Sequence, residues 1–210
     1  MSQLLERFAT EFGLVIPPYA AAGLFILLLY IIQAEIRFGA KARANAGGAA
    51  DRGSTIAVSL AAAVPTLGIL FSIKASSPPW LRGSHAMPGM PAIAWVGVAL
   101  GVLGLALRMW AVLTLRERYT RTLLIHENHA VERSGPYRLV RHPGYLGSLL
   151  CLIGVALSSG NAIVSVASIV TLLCGYAYRI RVEDQMLVGS FGKPYESYRR
   201  EVRALVPFVW

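Results

Sequence analysis

Two stretches of the 210-residue chain combine residue types able to do chemistry: "NHAVERSGPYRLVRHPGYLG" from Asn128 to Gly147 and "YRIRVEDQMLVGSFGKPYESY" from Tyr178 to Tyr198. Between them lie two apolar segments, Tyr145 to Ser159 and Ala162 to Tyr178, joined by Gly160 and Asn161. So tight a connection makes an antiparallel helical hairpin, which sets the start of the first segment beside the end of the second. Arg179 and Glu183 are four residues apart and share a helix face. They should therefore face His142 and Tyr145 across the hairpin. A guanidinium and a carboxylate set against an imidazole and a phenol could bind and orient the charged groups of a small molecule. Ionisable groups at a membrane edge are costly to place, so function is their default explanation; the plain alternative is a helix-end ion pair.

The elements that must position these groups are legible from composition. The chain is 55% hydrophobic and only 15% charged, against about 25% charge in an ordinary soluble domain. It has too little polar surface to cover a globule in water, and a soluble enzyme built on a conventional nucleotide-binding sheet is excluded. Apolar runs at Pro17 to Ile36, Ser54 to Ile73 and Ala92 to Leu115 precede the hairpin. Each is long enough to cross a hydrocarbon core about 30 Å thick. The expectation is an all-α integral membrane protein of about five transmembrane helices. Residues 1–115 would hold three of them, and 116–210 a catalytic, cofactor-binding region of the same single domain. Lys41 to Gly53 reads as a loop, and Pro65 as a kink within the second helix. Gly97, Gly101 and Gly104 offer small residues for close helix packing. The tail from Arg179 onward reads as an amphipathic helix on the membrane face.

Charge sets the orientation. The net charge is +9, with 20 Lys and Arg residues. Four lie between Arg37 and Arg52, seven between Arg108 and Arg141, and six from Arg179 onward, so 17 of the 20 fall on one side of a five-helix topology. Basic residues collect on the cytoplasmic face, which puts the N-terminus outside and the C-terminus in the cytosol. A site made from both clusters is then cytosolic. The same argument assigns the positive charge to the membrane and not to nucleic acid. Cys151 and Cys174 lie in apolar runs and read as packing residues. His126 and His129 miss the one-turn spacing that holds zinc, so no metal is expected.

The two clusters resemble the isoprenylcysteine carboxyl methyltransferase family and, more widely, the phospholipid methyltransferases. The resemblance rests on an ordered set over about the last 85 residues: His129, Gly135 with Tyr137, "RHPGY" from Arg141 to Tyr145, Arg179 with Glu183, "FGKPYESY" from Phe191 to Tyr198, and Pro207. It implies S-adenosyl-L-methionine as cofactor, bound at the cytosolic end of the hairpin. The implied cofactor contacts are His129, Ala130, Val131, Glu132, Tyr137, His142, Pro143, Gly144, Tyr145 and Glu183. Arg179 falls where the family's arginine meets the substrate carboxylate. The chain departs from the pattern at Glu132, where an apolar residue is usual, and at Asp184 and Gln185, where eukaryotic members carry more glutamates.

The chemistry of those residues agrees with the implied roles. Aromatic faces such as Tyr137 and Tyr145 attract onium cations by about 0.5–2 kcal/mol. Glu183 can take an ammonium or hydroxyl groups, and His129 or His142 can hydrogen-bond a carboxylate or an adenine. A carboxylate acceptor is already ionised at neutral pH, so its methylation needs orientation in a dry site and no general base. Arg179 offers a planar two-pronged grip for it.

The leading reading is methyl transfer to the carboxylate of a lipophilic, isoprenylcysteine-like substrate in contact with membrane lipids. A bacterial inner membrane fits the composition and the lack of an organelle address. Three readings compete: amine methylation of a phospholipid headgroup, against which Arg179 argues; a membrane sterol or enone reductase, for whose dinucleotide five helices leave little room; and a non-catalytic subunit, which leaves the clusters unexplained. Arg141 reads equally as a charge anchor, Arg181 as a headgroup contact, and Tyr195 and Tyr198 as packing or interface residues.

Overall fold

The structure, a computed structural model, describes residues 16–43, 53–73, 90–115 and 131–205. Among the described residues the architecture is all-helical, as expected. In chain order the elements are α1 (Ile16–Arg43), α2 (Ser54–Ile73), α3 (Met90–Leu115), a 3-10 turn (Gly135–Arg138), α4 (Pro143–Ser158), α5 (Ala162–Phe191) and α6 (Lys193–Glu201). Among the described residues two segments, Ala92–Leu115 and Ala162–Phe191, are long and apolar enough to cross a membrane, and Ala20–Gln33, Ser54–Gly68 and Pro143–Ser158 are shorter apolar stretches.

Local chemistry explains the ends. Pro143 opens α4, where its missing N–H is of no consequence. The turn to α5 carries Gly160 at φ 68°, and the Asn161 side chain caps α5 by accepting from the Val164 N–H at 3.0 Å. Gly192, at φ 58°, breaks the chain between α5 and α6.

The packing follows residue size. α3 runs along α4, while α2 packs on α5. A Cβ on Gly104 would stand 2.5 Å from the Gly147 carbonyl, and one on Gly97 2.6 Å from that of Gly154. The α3–α4 backbones are thus in direct contact, as small residues permit. Of the expected glycine row, Gly101 also abuts Leu24 of α1. Leu28, Leu105, Leu149, Leu172, Tyr176, Ile180 and Leu205 form the core. The outer surface is apolar too: Ile56 and Leu60 on α2, Leu103 on α3 and Val166 on α5 are each more than half exposed. Large apolar faces turned outward suit a lipid solvent better than water.

Two boundaries and the place of one side chain differ from the sequence reading. α1 continues to Arg43, shortening the loop expected from Lys41. α5 does not stop near Tyr178 but runs as one helix to Phe191, so the charged segment Arg179 to Gln185 belongs to it. No Gly or Pro interrupts that stretch, and the hydrogen-bond ladder carries on past the change in polarity. Arg108, counted above among the cytosolic basic residues, lies inside α3 and is 2% exposed.

Candidate active site

The start of α4 and the middle of α5 meet as the hairpin requires. The Arg179 Nε–H donates to the Tyr145 phenol oxygen at 2.9 Å, and the phenol donates onward to the Glu183 carboxylate. The guanidinium also lies over the Tyr145 ring, 5.7 Å from its centroid. Its Nη1 donates to Ser54 Oγ at 2.8 Å and Thr55 Oγ1 at 2.7 Å, both at the start of α2. Three helices therefore hold one side chain, and its orientation is set before any ligand arrives.

His142 takes a different partner from the one expected. Its ring stacks on Tyr145 at 5.5 Å, but its Nε2 meets the Asp184 carboxylate at 3.0 Å and not Glu183. Adjacent residues on a helix point about 100° apart, so Glu183 and Asp184 serve opposite flanks of the α4 start. Asp184 is the hub of the second flank. Its carboxylate pairs with Arg141 at 2.8 Å and accepts from the Tyr195 hydroxyl at 2.5 Å. Arg141 is thus more than a charge anchor: it also donates to the carbonyls of Arg199 at 3.2 Å and of Val202. The segment after α6 is stitched beside the α4 start by Arg141 N–H to Arg203 O at 2.8 Å and His142 N–H to Ala204 O at 3.1 Å. Tyr195 and Tyr198 are buried, which bears out packing as their role; Tyr198 donates to the Tyr137 carbonyl at 2.6 Å. Burial and the Asp184 charge push the Tyr195 phenol well above its usual range. Burial does the same to Tyr198, against the opposing pull of Arg141 and Arg133. Both remain hydrogen-bond donors at neutral pH.

The other expected site residues are placed as follows. His129 and Ala130 lie outside the described residues. Val131 and Glu132 approach the 3-10 turn, where the Glu132 carboxylate accepts from the N–H groups of Arg133 and Ser134 at 3.1 and 3.0 Å. Tyr137 is buried within that turn. Pro143 and Gly144 are buried in the first turn of α4, and Glu183 is half-buried. Among the described residues Glu183 makes no ion pair within 4 Å.

Arg108 was missed as a site residue. Its Nη1 donates to the Gly144 carbonyl at 3.0 Å and to Ser148 Oγ at 2.5 Å. The signal was present, since a lone arginine inside an apolar helix is a functional candidate by default. A cavity of ≈ 510 Å³ joins it to Arg179, Tyr145, Thr55 and Ser148, and continues between α1, α2 and α4 past Phe25, Leu29, Ala63, Leu67 and Leu152. That volume suits a small-molecule ligand, with an apolar body and a cationic, phenolic head.

Comparison with known proteins agrees with the geometry. The model of the isoprenylcysteine carboxyl methyltransferase (ICMT) family matches residues 96–189, which hold Arg108, Tyr145, Arg179 and Glu183. A probable protein-S-isoprenylcysteine O-methyltransferase of Oryza sativa subsp. indica is 33% identical over 119 residues, 56% of this chain and 62% of its own length. Protein-S-isoprenylcysteine O-methyltransferase A of Arabidopsis thaliana is 33% identical over 127 residues, 58% of this chain and 64% of its own. The match thus spans under two thirds of either relative. The solved structure of the eukaryotic intramembrane Ras methyltransferase ICMT shares the fold at TM-score 0.59 and 22% identity, over 96% of this chain and 71% of that one. The resemblance read from the motifs is therefore borne out: residues 96–189 match the ICMT family model, and the chain shares its fold with that solved structure.

Proposed function

We propose that the chain is a membrane carboxyl methyltransferase, transferring a methyl group from S-adenosyl-L-methionine to the carboxylate of a lipophilic, isoprenylcysteine-like substrate. The observation that carries this reading is the cavity, apolar along its length and headed by two guanidinium groups, Arg179 and Arg108. An apolar chain fits its body and an anion fits its head. An amine acceptor would place a cationic product against both arginines, which disfavours headgroup N-methylation.

The residues present fit the cofactor. Its cationic groups suit the Glu183 carboxylate and the Tyr145 ring, and the first turn of α4 from His142 to Tyr145 would border it. Val131, Glu132 and Tyr137, with His129 and Ala130 outside the described residues, complete the proposed contacts. The cofactor supplies an electrophilic methyl group. Arg179 grips the acceptor carboxylate and turns one oxygen toward that methyl, held rigid by Tyr145, Ser54 and Thr55. The surrounding apolar wall excludes water and keeps the carboxylate oxygen poorly solvated and reactive. No proton moves at the acceptor, so no base is needed.

In the membrane, α1 to α5 would form five spans, with the N-terminus outside, the α4 start and α6 on the cytosolic side, and a bacterial inner membrane as the location. The lipophilic tail would enter from the bilayer and the cofactor from the cytosol.

Calorimetric titration of the full chain in detergent with S-adenosylmethionine, with NADPH as control, tests the cofactor. Saturable binding of the first alone is expected; binding of NADPH alone would turn the reading toward a reductase. Methyl transfer to farnesyl-cysteine but not to phosphatidylethanolamine is then expected, and the reverse preference would overturn the acceptor assignment.

A further inference from the structure

On the flank of α5 turned away from Arg179 lies a second cavity, ≈ 380 Å³, lined by Arg141, Arg181, Asp184, Gln185, Arg199 and Arg203 over a floor of Ile180 and Ala204. Four guanidiniums face one carboxylate there. Arg141 engages Asp184 at 2.8 Å, and Arg199 reaches it only at 3.9 Å. The side chains of Arg181 and Arg203 are exposed and have no acidic partner among the described residues. The cleft therefore carries a surplus of positive charge.

Its position indicates the source of the balancing anion. Ile163, Val166, Val170 and Leu173 are 45–62% exposed and recur at helical spacing along one face of α5. Continued past half-exposed Tyr178, that face ends on Arg181. From Ile163 to Arg181 the helix rises about 27 Å, close to the thickness of a hydrocarbon core. An apolar face of that length capped by a tyrosine and an arginine marks the level of the headgroups. We infer that this cleft binds the phosphate of an anionic phospholipid, with Arg181, Arg199 and Arg203 around the headgroup and the acyl chains lying along the exposed face of α5. The inference rests on the membrane placement proposed above. It assigns this side of α5 to a lipid contact separate from the methyl-transfer site.

The test is native mass spectrometry of the full chain released from nanodiscs of equal phosphatidylglycerol and phosphatidylcholine. The wild-type chain should retain phosphatidylglycerol preferentially. Arg181→Gln with Arg203→Gln should lower that preference by roughly thirtyfold. Lys193→Gln with Arg200→Gln removes the same charge from the other face of α6 and should leave it unchanged. Equal retention of the two lipids by the wild-type chain, or an equal fall in both variants, overturns the site while leaving the membrane placement standing. Displacement of the retained lipid by millimolar inorganic phosphate would also overturn it, in favour of a soluble anion. Should the double variant fail to fold, Arg181→Gln alone should lower the preference about fivefold, and an unchanged preference would overturn the site.

Discussion

Arg179 and Glu183 share the Tyr145 hydroxyl: the guanidinium donates to its oxygen at 2.9 Å and its proton goes to the carboxylate. One phenol thereby fixes the distance between the group proposed to hold the acceptor and the group proposed to hold the cofactor. Two reacting partners brought together by a single rigid spacer lose little freedom when they meet.

Tyr145→Phe should expose the value of that spacer. The ring and its stacking on His142 are retained, and only the hydroxyl is lost. Hydrogen bonds to charged groups contribute about 1.5–3 kcal/mol, so kcat should fall by roughly one to two orders of magnitude. Thermal stability should fall as well, because the same bonds join α4 to α5 in the folded state. Steady-state kinetics beside a melting curve checks this; an unaltered kcat would show that Arg179 and Glu183 are positioned without the phenol.

Glu183→Ala and Arg179→Ala should separate binding from turnover. Loss of the carboxylate should weaken cofactor binding by at least about thirtyfold, from roughly 2 kcal/mol of lost charge-assisted bonding. Loss of the guanidinium should cut kcat while the cofactor Kd stays within about threefold, less than 1 kcal/mol. Calorimetry and single-turnover rates distinguish the two. Parallel losses of both quantities in both variants would refute the division of roles.

Asp184→Asn should loosen the C-terminal segment. Its carboxylate holds Arg141, His142 and Tyr195 at 2.5–3.0 Å, and the Arg141 and Asp184 side chains are each only 8% exposed. Breaking a buried ion pair by removing one charge costs about 3–5 kcal/mol, because the partner stays buried. The variant should melt lower and be cut faster by trypsin at Arg199 and Arg200. Unchanged proteolysis would mean that Tyr198 and the backbone bonds to Arg203 and Ala204 hold the segment by themselves.

What the sequence determined was the set of helices and the one juxtaposition that connectivity enforces. Apolar runs of membrane length must bury or face lipid, and a turn as short as Gly160 and Asn161 leaves the hairpin no other geometry. Tyr145 beside Arg179 and Glu183 follows from that alone. Tertiary structure decided everything that depends on how a helix is rotated about its own axis. It sent Asp184, one residue from Glu183, to His142 and Arg141 on the opposite flank. It brought Ser54 and Thr55 to Arg179 across more than 120 residues of chain, a proximity that no local spacing encodes. It turned Arg108 inward, because Gly104 and Gly147 let the α3 and α4 backbones touch and bring its guanidinium to the carbonyl of Gly144, to Ser148 and to the cavity. A sequence states which residues share a face; only packing states what that face meets.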